Sequence, residues 1–321
     1  MKISTVNGPI DVNELGKTLM HEHLIIGFGG WEFDRERKFS PEDEIAICVD
    51  HIEELKAAGY RTLVDPCPND VGRDVDVLGE VAARTGFNII CATGFYTETE
   101  GTNGYWRAKS QVDPHFVDRM ADVMIGEITD GAGQTGIKPG IIKLATGQPP
   151  MSDYESKVFE AGAKASIATG VPITTHTDAI LGDVQVKHLT SLGVAPNRII
   201  VGHCCGTSDH VYHMGLVEAG AYVGFDRFGI EMICSDESRI GAMLKLMHKG
   251  AGRQLIVSQD SVWCMRGGAF MEYFPLDPLK HHPLHFERTI MPALKDAGVD
   301  SELLDALLKE NPRRYFAGEP F

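Results

Sequence analysis
The chain has 321 residues, 43% of them hydrophobic, and carries 45 acidic against 30 basic side chains for a formal net charge of -15. That length and apolar content suffice for one barrel domain or two smaller cores, and the acidic balance argues against nucleic acid or an anionic membrane surface as a partner. No run approaches the roughly 18 apolar residues of a membrane span, the first residues lack the apolar core of a signal peptide, and the 7 scattered cysteines form no CxxC pair, so a cytoplasmic protein without disulfides is expected.

In chain order, residues 1–16 alternate polar and apolar around Asn7-Gly8, which signals a short β-hairpin ahead of the main fold. Residues 17–23 read as the first core strand and end in Met20-His21-Glu22-His23, while 27–38, with Phe28, Trp31 and Phe33, read as a loop. On a strand, side chains two apart share a face, so His21 and His23 are expected to point the same way and Glu22 the other. Ser40-Pro41-Glu42-Asp43 starts a helix with a capping serine, an early proline and an acid three residues on; Ile45, Val49, Ile52 and Leu55 then mark its apolar stripe.

The strand-then-helix pattern recurs. Further strands are expected at 60–65, 87–93, 140–145, 172–177, 198–203, 221–227 and 254–259. Helices are expected at 73–84, 115–128, 152–169, 182–192, 208–219 and 235–249, with a long polar loop through Tyr105-Trp106 after the third strand. A loop rich in aromatics and proline follows the eighth strand, then helices near 284–297 and 301–309. Eight such units imply an α/β fold, a (β/α)8 TIM barrel in one domain over 1–321, with an N-terminal β-hairpin and C-terminal helices. The competing doubly wound sheet carries a glycine-rich nucleotide loop after an early strand, and nothing after the first strand resembles one.

In such barrels the chemistry sits at the C-terminal ends of the strands. Those ends read His21 and His23 (strand one), Lys143 (four), His176 (five), His203 (six), Arg227 (seven) and Asp260 (eight). Each has an ordinary alternative: His176 and His203 as packed core histidines, Asp260 as a loop cap. Lys143 is the most informative, because a lysine inside Gly140-Ile141-Ile142-Lys143-Leu144-Ala145 faces a desolvation cost unless it is paired or chemically changed. Four histidines, a lysine and an aspartate at one end of different strands point to a metal site.

The set resembles the binuclear-metal amidohydrolase superfamily, and within it the phosphotriesterase-like branch. The resemblance rests on Thr18-Leu19-Met20-His21-Glu22-His23, Gly140-Ile141-Ile142-Lys143, Thr174-Thr175-His176-Thr177, Val201-Gly202-His203, Ser258-Gln259-Asp260 and the closing run Lys309-Glu310-Asn311-Pro312-Arg313-Arg314-Tyr315-Phe316. It implies two divalent metal ions, Zn, Co, Mn or Fe: His21, His23 and Asp260 on the more buried one, His176 and His203 on the other, and Lys143 bridging as a carbamate formed with CO2. It further implies hydrolysis by a metal-bridging hydroxide, with Asp260 passing the proton to the leaving alkoxide, and a homodimer, as in many relatives.

The substrate is read from the loops. In lactonases of this branch a tyrosine in the position of Tyr96, in Gly94-Phe95-Tyr96, contacts the bound lactone, and Phe225-Asp226-Arg227-Phe228-Gly229 also resembles the lactonase pattern. Past the eighth strand, Val262, Trp263, Met265, Phe270, Met271, Tyr273, Phe274, Pro275 and Leu276 would cover an aliphatic chain, or equally a dimer contact. The expectation is a small-molecule hydrolase that opens acyl-homoserine or long-chain oxo-lactones, with promiscuous phosphotriesterase activity; Tyr96, Arg227 and Asp260 are its candidate catalytic residues. A dedicated organophosphate triester hydrolase, an amide or acyl-amino-acid hydrolase and a non-catalytic metal-binding barrel are the alternatives. Cys204 and Cys205 are expected to pack rather than react, and Glu22 to serve structure.

Overall fold
The computed structural model describes residues 1–35, 39–101, 104–267 and 276–321. A hairpin, β1 (Lys2–Thr5) and β2 (Gly8–Asp11), leads into β3 (Lys17–Leu19) and β4 (His23–Ile26). Then come α1 (Pro41–Ala57), β5 (Tyr60–Asp65), α2 (Val75–Thr85), β6 (Asn88–Gly94), α3 (Gly104–Val112), α4 (Phe116–Thr129), β7 (Ile141–Ala145) and α5 (Asp153–Thr169). The chain continues through β8 (Ile173–His176), α6 (Gly182–Ser191), β9 (Ile199–Val201), α7 (His210–Glu218), β10 (Tyr222–Phe225), α8 (Asp236–His248), β11 (Leu255–Val257) and β12 (Val262–Met265). It ends in α9 (Met291–Asp296), α10 (Ser301–Leu308) and α11 (Glu310–Ala317).

Eight parallel strands stand in the order β11-β10-β9-β8-β7-β6-β5-β3, giving the expected (β/α)8 barrel. Its helices begin where the sequence places caps: Ser40 and Ser152 each close a capping box, and Gly86 and Gly170 end α2 and α5 in the left-handed conformation. No helix among the described residues is long and apolar enough to cross a membrane.

Strand alternation sorts the core into two shells. Leu63, Ile89, Ile142 and Val223 pack outward against the helices, whereas Val64, Ile90, Ile141, Ile200, Tyr222 and Ile256 fill the lower barrel with Tyr315 and Phe316 of α11. Two residues beyond an inward position lies the next inward layer. Ile141 therefore predicts Lys143 facing in, and Tyr222 predicts Gly224 and then Asp226. At Gly224 a Cβ would sit 2.8 Å from Asp226 Oδ2, so the glycine makes room for that carboxylate. At Gly94, φ +135°, a Cβ would collide with the Lys143 carbonyl oxygen; only glycine lets β6 approach β7 there.

Several expectations need correction. The hairpin pairs Thr5 with Gly8, so its tip is Val6-Asn7 rather than Asn7-Gly8. The shift buries Val6 in the core and lets the Asn7 side chain donate to the Ala82 carbonyl. The first strand is not continuous through the histidines: it breaks after Leu19 and resumes at His23 in β4, which pairs with β12. Strand alternation thus does not explain why His21 and His23 converge. Strands six, seven and eight stop short of His203, Arg227 and Asp260, which sit in the turns beyond them. Part of the loop expected after strand eight is a strand, β12, and part of the polar loop after strand three is a helix, α3. Trp106 of α3 stacks edge-on against Phe95 at 5.2 Å, a tertiary anchor that helical periodicity does not reveal. Phe270, Met271, Tyr273, Phe274 and Pro275 of the expected apolar loop lie outside the described residues.

The barrel seam lies between β3 and β11. There the Asp260 N–H donates to the His21 carbonyl (3.1 Å), the His23 N–H to the Ser261 carbonyl (2.9 Å), and β4 and β12 carry the parallel pairing onward. The two histidines therefore sit on the stitch that closes the barrel.

Candidate metal centre
Six side chains expected at the strand ends meet in one cavity of about 800 Å³: His21, His23, Lys143, His176, His203 and Asp260. All are buried. Asp260 Oδ1 lies 3.5 Å from His21 Nε2 and 3.2 Å from His23 Nε2, and Lys143 Nζ lies 3.4 Å from His21 Nε2. The His203 ring packs 4.7 Å from both the His21 and His176 rings. Ligand atoms of His21, His203 and Asp260 fall within 4.8 Å of one another, a spacing that one cation can span.

Asp226 decides which nitrogens face inward. Its Oδ2 lies 3.2 Å from His21 Nδ1 and its Oδ1 3.0 Å from His203 Nδ1, while Oδ1 also accepts the His203 N–H at 2.8 Å. Holding both Nδ1 atoms fixes the two rings and leaves His21 Nε2 facing Asp260 and Lys143, the carboxylate–histidine arrangement common around bound metals. The backbone hydrogen bond also steadies His203 in the left-handed region, at φ 61°. Sequence reasoning names Asp226 only within a loop pattern. Its signal is the strand register, two residues past Gly224 and four past inward-facing Tyr222.

The electrostatics suit cation binding. Burial lowers His21 and His176 to about 4 and His203 well below the ordinary imidazole value, leaving neutral rings with free lone pairs. Burial, only partly offset by the carboxylates of Asp260 and Asp226, brings Lys143 down to about 8. A fraction of its amine is then neutral near physiological pH, the form that reacts with CO2. Burial works against ionisation of Asp260 and Asp226, but hydrogen bonds from His203 and His21 to Asp226, and the Arg227 cation and a hydrogen bond from His23 at Asp260, outweigh it and hold both carboxyls well below the usual range. Burial also opposes charge on His23, yet hydrogen bonds to Asp260 and Asp65 hold its pKa above the ordinary value. The set is nitrogen and oxygen donors, hard to borderline, and fits divalent first-row ions.

Around this floor stands the rim. The Tyr96 hydroxyl lies 3.0 Å from His176 Nδ1, and Arg227 Nε donates to Asp260 Oδ2 at 2.8 Å, so both residues reach the centre as expected. Arg227 grips the aspartate rather than standing free in the mouth. Asp178 Oδ1 sits 3.4 Å from His176 Nε2 and joins Glu100 on the cavity wall, whose apolar lining includes Phe28, Val71, Ile230 and Val262. Cys204 and Cys205 are fully buried, and burial pushes the Cys205 thiol up to about 11, in keeping with packing roles. Asp65, which sequence reasoning does not single out, lies 3.5 Å behind His23 Nδ1 and accepts the Leu24 N–H at 3.1 Å.

His23 also groups with Asp65 and Cys67, and a further cluster, His51, Glu54 and His282, is partly exposed. There His282 Nδ1 accepts the Leu284 N–H and Arg288 pairs with Glu54 at 2.9 Å, so two of the three side chains already have partners.

Comparisons with known proteins agree with this geometry. Residues 1–316 match the phosphotriesterase family. A phosphotriesterase homology protein of Mycobacterium tuberculosis is 35% identical over 320 residues, 98% of this chain and 97% of that one. An aryldialkylphosphatase of Saccharolobus solfataricus is 31% identical over 314 residues, 96% of this chain and 97% of its own. A substituted form of a phosphotriesterase-like lactonase of Deinococcus radiodurans superposes with a TM-score of 0.91 at 34% identity, over 98% of this chain and 99% of that one.

Proposed function
The chain belongs to the phosphotriesterase family, and from that premise we propose a binuclear-metal hydrolase that opens lactones, acyl-homoserine or long-chain oxo-lactones, with promiscuous phosphotriesterase activity. The observation that carries the reading is the meeting of four histidines, three of them shifted toward the neutral form by burial, with Lys143 and Asp260 in one buried cavity with the Tyr96 hydroxyl on its wall. In it, His21, His23 and Asp260 would hold one divalent ion and His176 and His203 a second, and Lys143, once carbamylated, would add an anionic oxygen ligand to the set. When bound, two divalent ions supply Lewis-acid polarisation of the scissile carbonyl and a water acidic enough to lose its proton near neutral pH.

The remaining steps belong to the protein's own side chains. Asp260, kept ionised by Arg227 and His23, accepts the proton of the attacking water. Water oxygen bonds to the carbonyl carbon, the ring C–O bond breaks, and Asp260 returns the proton to the leaving alkoxide, giving a hydroxy acid. Tyr96, beside His176, orients the lactone. The apolar wall around Phe28, Val71, Ile230 and Val262 receives its aliphatic part. A homodimer in the cytoplasm completes the reading.

The lactonase named among similar structures supports the first substrate class, and the aryldialkylphosphatase among the relatives supports a second reading, a dedicated phosphotriester hydrolase. Steady-state kinetics on metal-analysed protein separates them, with an acyl-homoserine lactone and a long-chain δ-lactone set against an aryl dialkyl phosphate. A lactone kcat/KM well above the phosphate value is expected. The reverse ranking would make the phosphotriester the substrate and leave Tyr96 a packing residue.

A further inference from the structure
Asp260 occupies the left-handed region at φ 53°, a conformation that side-chain-bearing residues adopt only when their surroundings enforce it. The enforcing group is Glu22. Its carboxylate is fully buried. Oε1 accepts the Ser258 hydroxyl at 2.7 Å and the Gln259 N–H at 2.9 Å; Oε2 accepts the Ser261 N–H at 3.2 Å and the Ser261 hydroxyl. One carboxylate thus holds the backbone on both sides of Asp260, while the Asp260 N–H itself is held by the His21 carbonyl. The Ser258 hydroxyl, already donating to Glu22, accepts the His21 N–H at 3.0 Å, so the same network ties down the opposite lip of the seam.

We infer that Glu22 is a positioning residue: by clamping residues 258–261 it holds Asp260 in its left-handed conformation and aims that carboxylate into the metal centre. Four donors converge on its two oxygens, so a carboxylate is required and not merely a buried polar group. Glu22→Gln keeps the shape but must turn an NH2 group toward a backbone N–H at 259 or 261, leaving one of them unpaired. The inference rests on Asp260 serving the centre as proposed above, and its test is chosen to stand apart from turnover.

Two readouts serve, with zinc as the probe. Zinc affinity of the Glu22→Gln protein, measured by chelator competition, is expected to fall about 10–100-fold, the range typical for loss of a group that orients a metal ligand. Amide hydrogen exchange of the metal-free chain, which needs neither metal nor substrate, should show residue 259 or 261, whichever the NH2 group faces, exchanging much faster while β6 and β7 stay protected. On a lactone substrate, kcat should drop with KM nearly unchanged. Ser261→Ala, which removes one donor and keeps the carboxylate, gives a smaller change of the same sign, and it decides the matter if Glu22→Gln does not fold. A lower melting temperature with unchanged zinc affinity and unchanged exchange at 259 and 261 would reduce Glu22 to a plain structural role and overturn the inference. A wild-type protein inactive on lactones but showing these shifts would instead fail only the substrate assignment.

Discussion
The floor of the cavity and its rim obey different rules. On the floor, each residue is buried, each histidine has a carboxylate beside it, and two carboxylates outside the expected ligand set, Asp226 and Glu22, grip the backbone or rings that carry it. On the rim, Asp178 is exposed, Met232 is 55% exposed, and the contacts to the floor include Tyr96 and Asp178 to His176 and Arg227 to Asp260. A floor of this kind is suited to one chemistry. A rim of this kind can change its substrate without disturbing that chemistry, because little of its packing is shared.

This contrast makes graded predictions. The largest effect belongs to Asp260→Asn, which removes both the proton acceptor and a negative charge at the centre: kcat should fall by more than about 10²-fold on lactone and phosphotriester alike. Near-normal rates on either would break the assignment. Chelation followed by dialysis should likewise abolish both activities together, and Zn, Co or Mn should restore both; activity surviving complete metal removal would contradict a metal-dependent floor. Lys143→Ala should come next, with activity partly recovered by a short-chain carboxylate that can stand where the carbamate would, whereas full activity without any additive would exclude a bridging role. Asp226→Asn should weaken metal retention by about 10–100-fold through freed His21 and His203 rings, read by chelator competition. The smallest effect is expected on the rim. Tyr96→Trp should shift the lactone-to-phosphotriester kcat/KM ratio by roughly 10-fold while the metal content stays unchanged. Equal losses on both substrates would place Tyr96 functionally with the floor.

Much of the floor is legible in the amino-acid sequence, and the reason is periodicity. Inward layers on a barrel strand repeat every two residues, so a lysine at 143 in an apolar run, or a histidine closing β8, stands out against its neighbours. Those residues are named from the sequence, but the turns that carry some of them are not, because these depend on strands that stop. His203 and Asp260 lie past the ends of β9 and β11 in left-handed turns, and His21 sits in the break between β3 and β4. Local pattern carries no record of such breaks, because they are held by partners far along the chain: Glu22 to Ser261, His203 to Asp226. Helix α3 escapes for the same reason, since its anchor is Trp106 against Phe95 and Phe116 rather than its own amphipathic stripe. The rim is least legible, as loop side chains follow no period at all.

The most direct test of the central claim is an anomalous difference map from crystals of zinc-loaded protein, recorded at the zinc edge. Two peaks are expected in the cavity, one against His21, His23 and Asp260, the other against His176 and His203, with continuous density from Lys143 Nζ between them. A single peak, or zinc bound at His51 and His282 with none at the barrel mouth, would contradict the binuclear centre on which the proposed function depends.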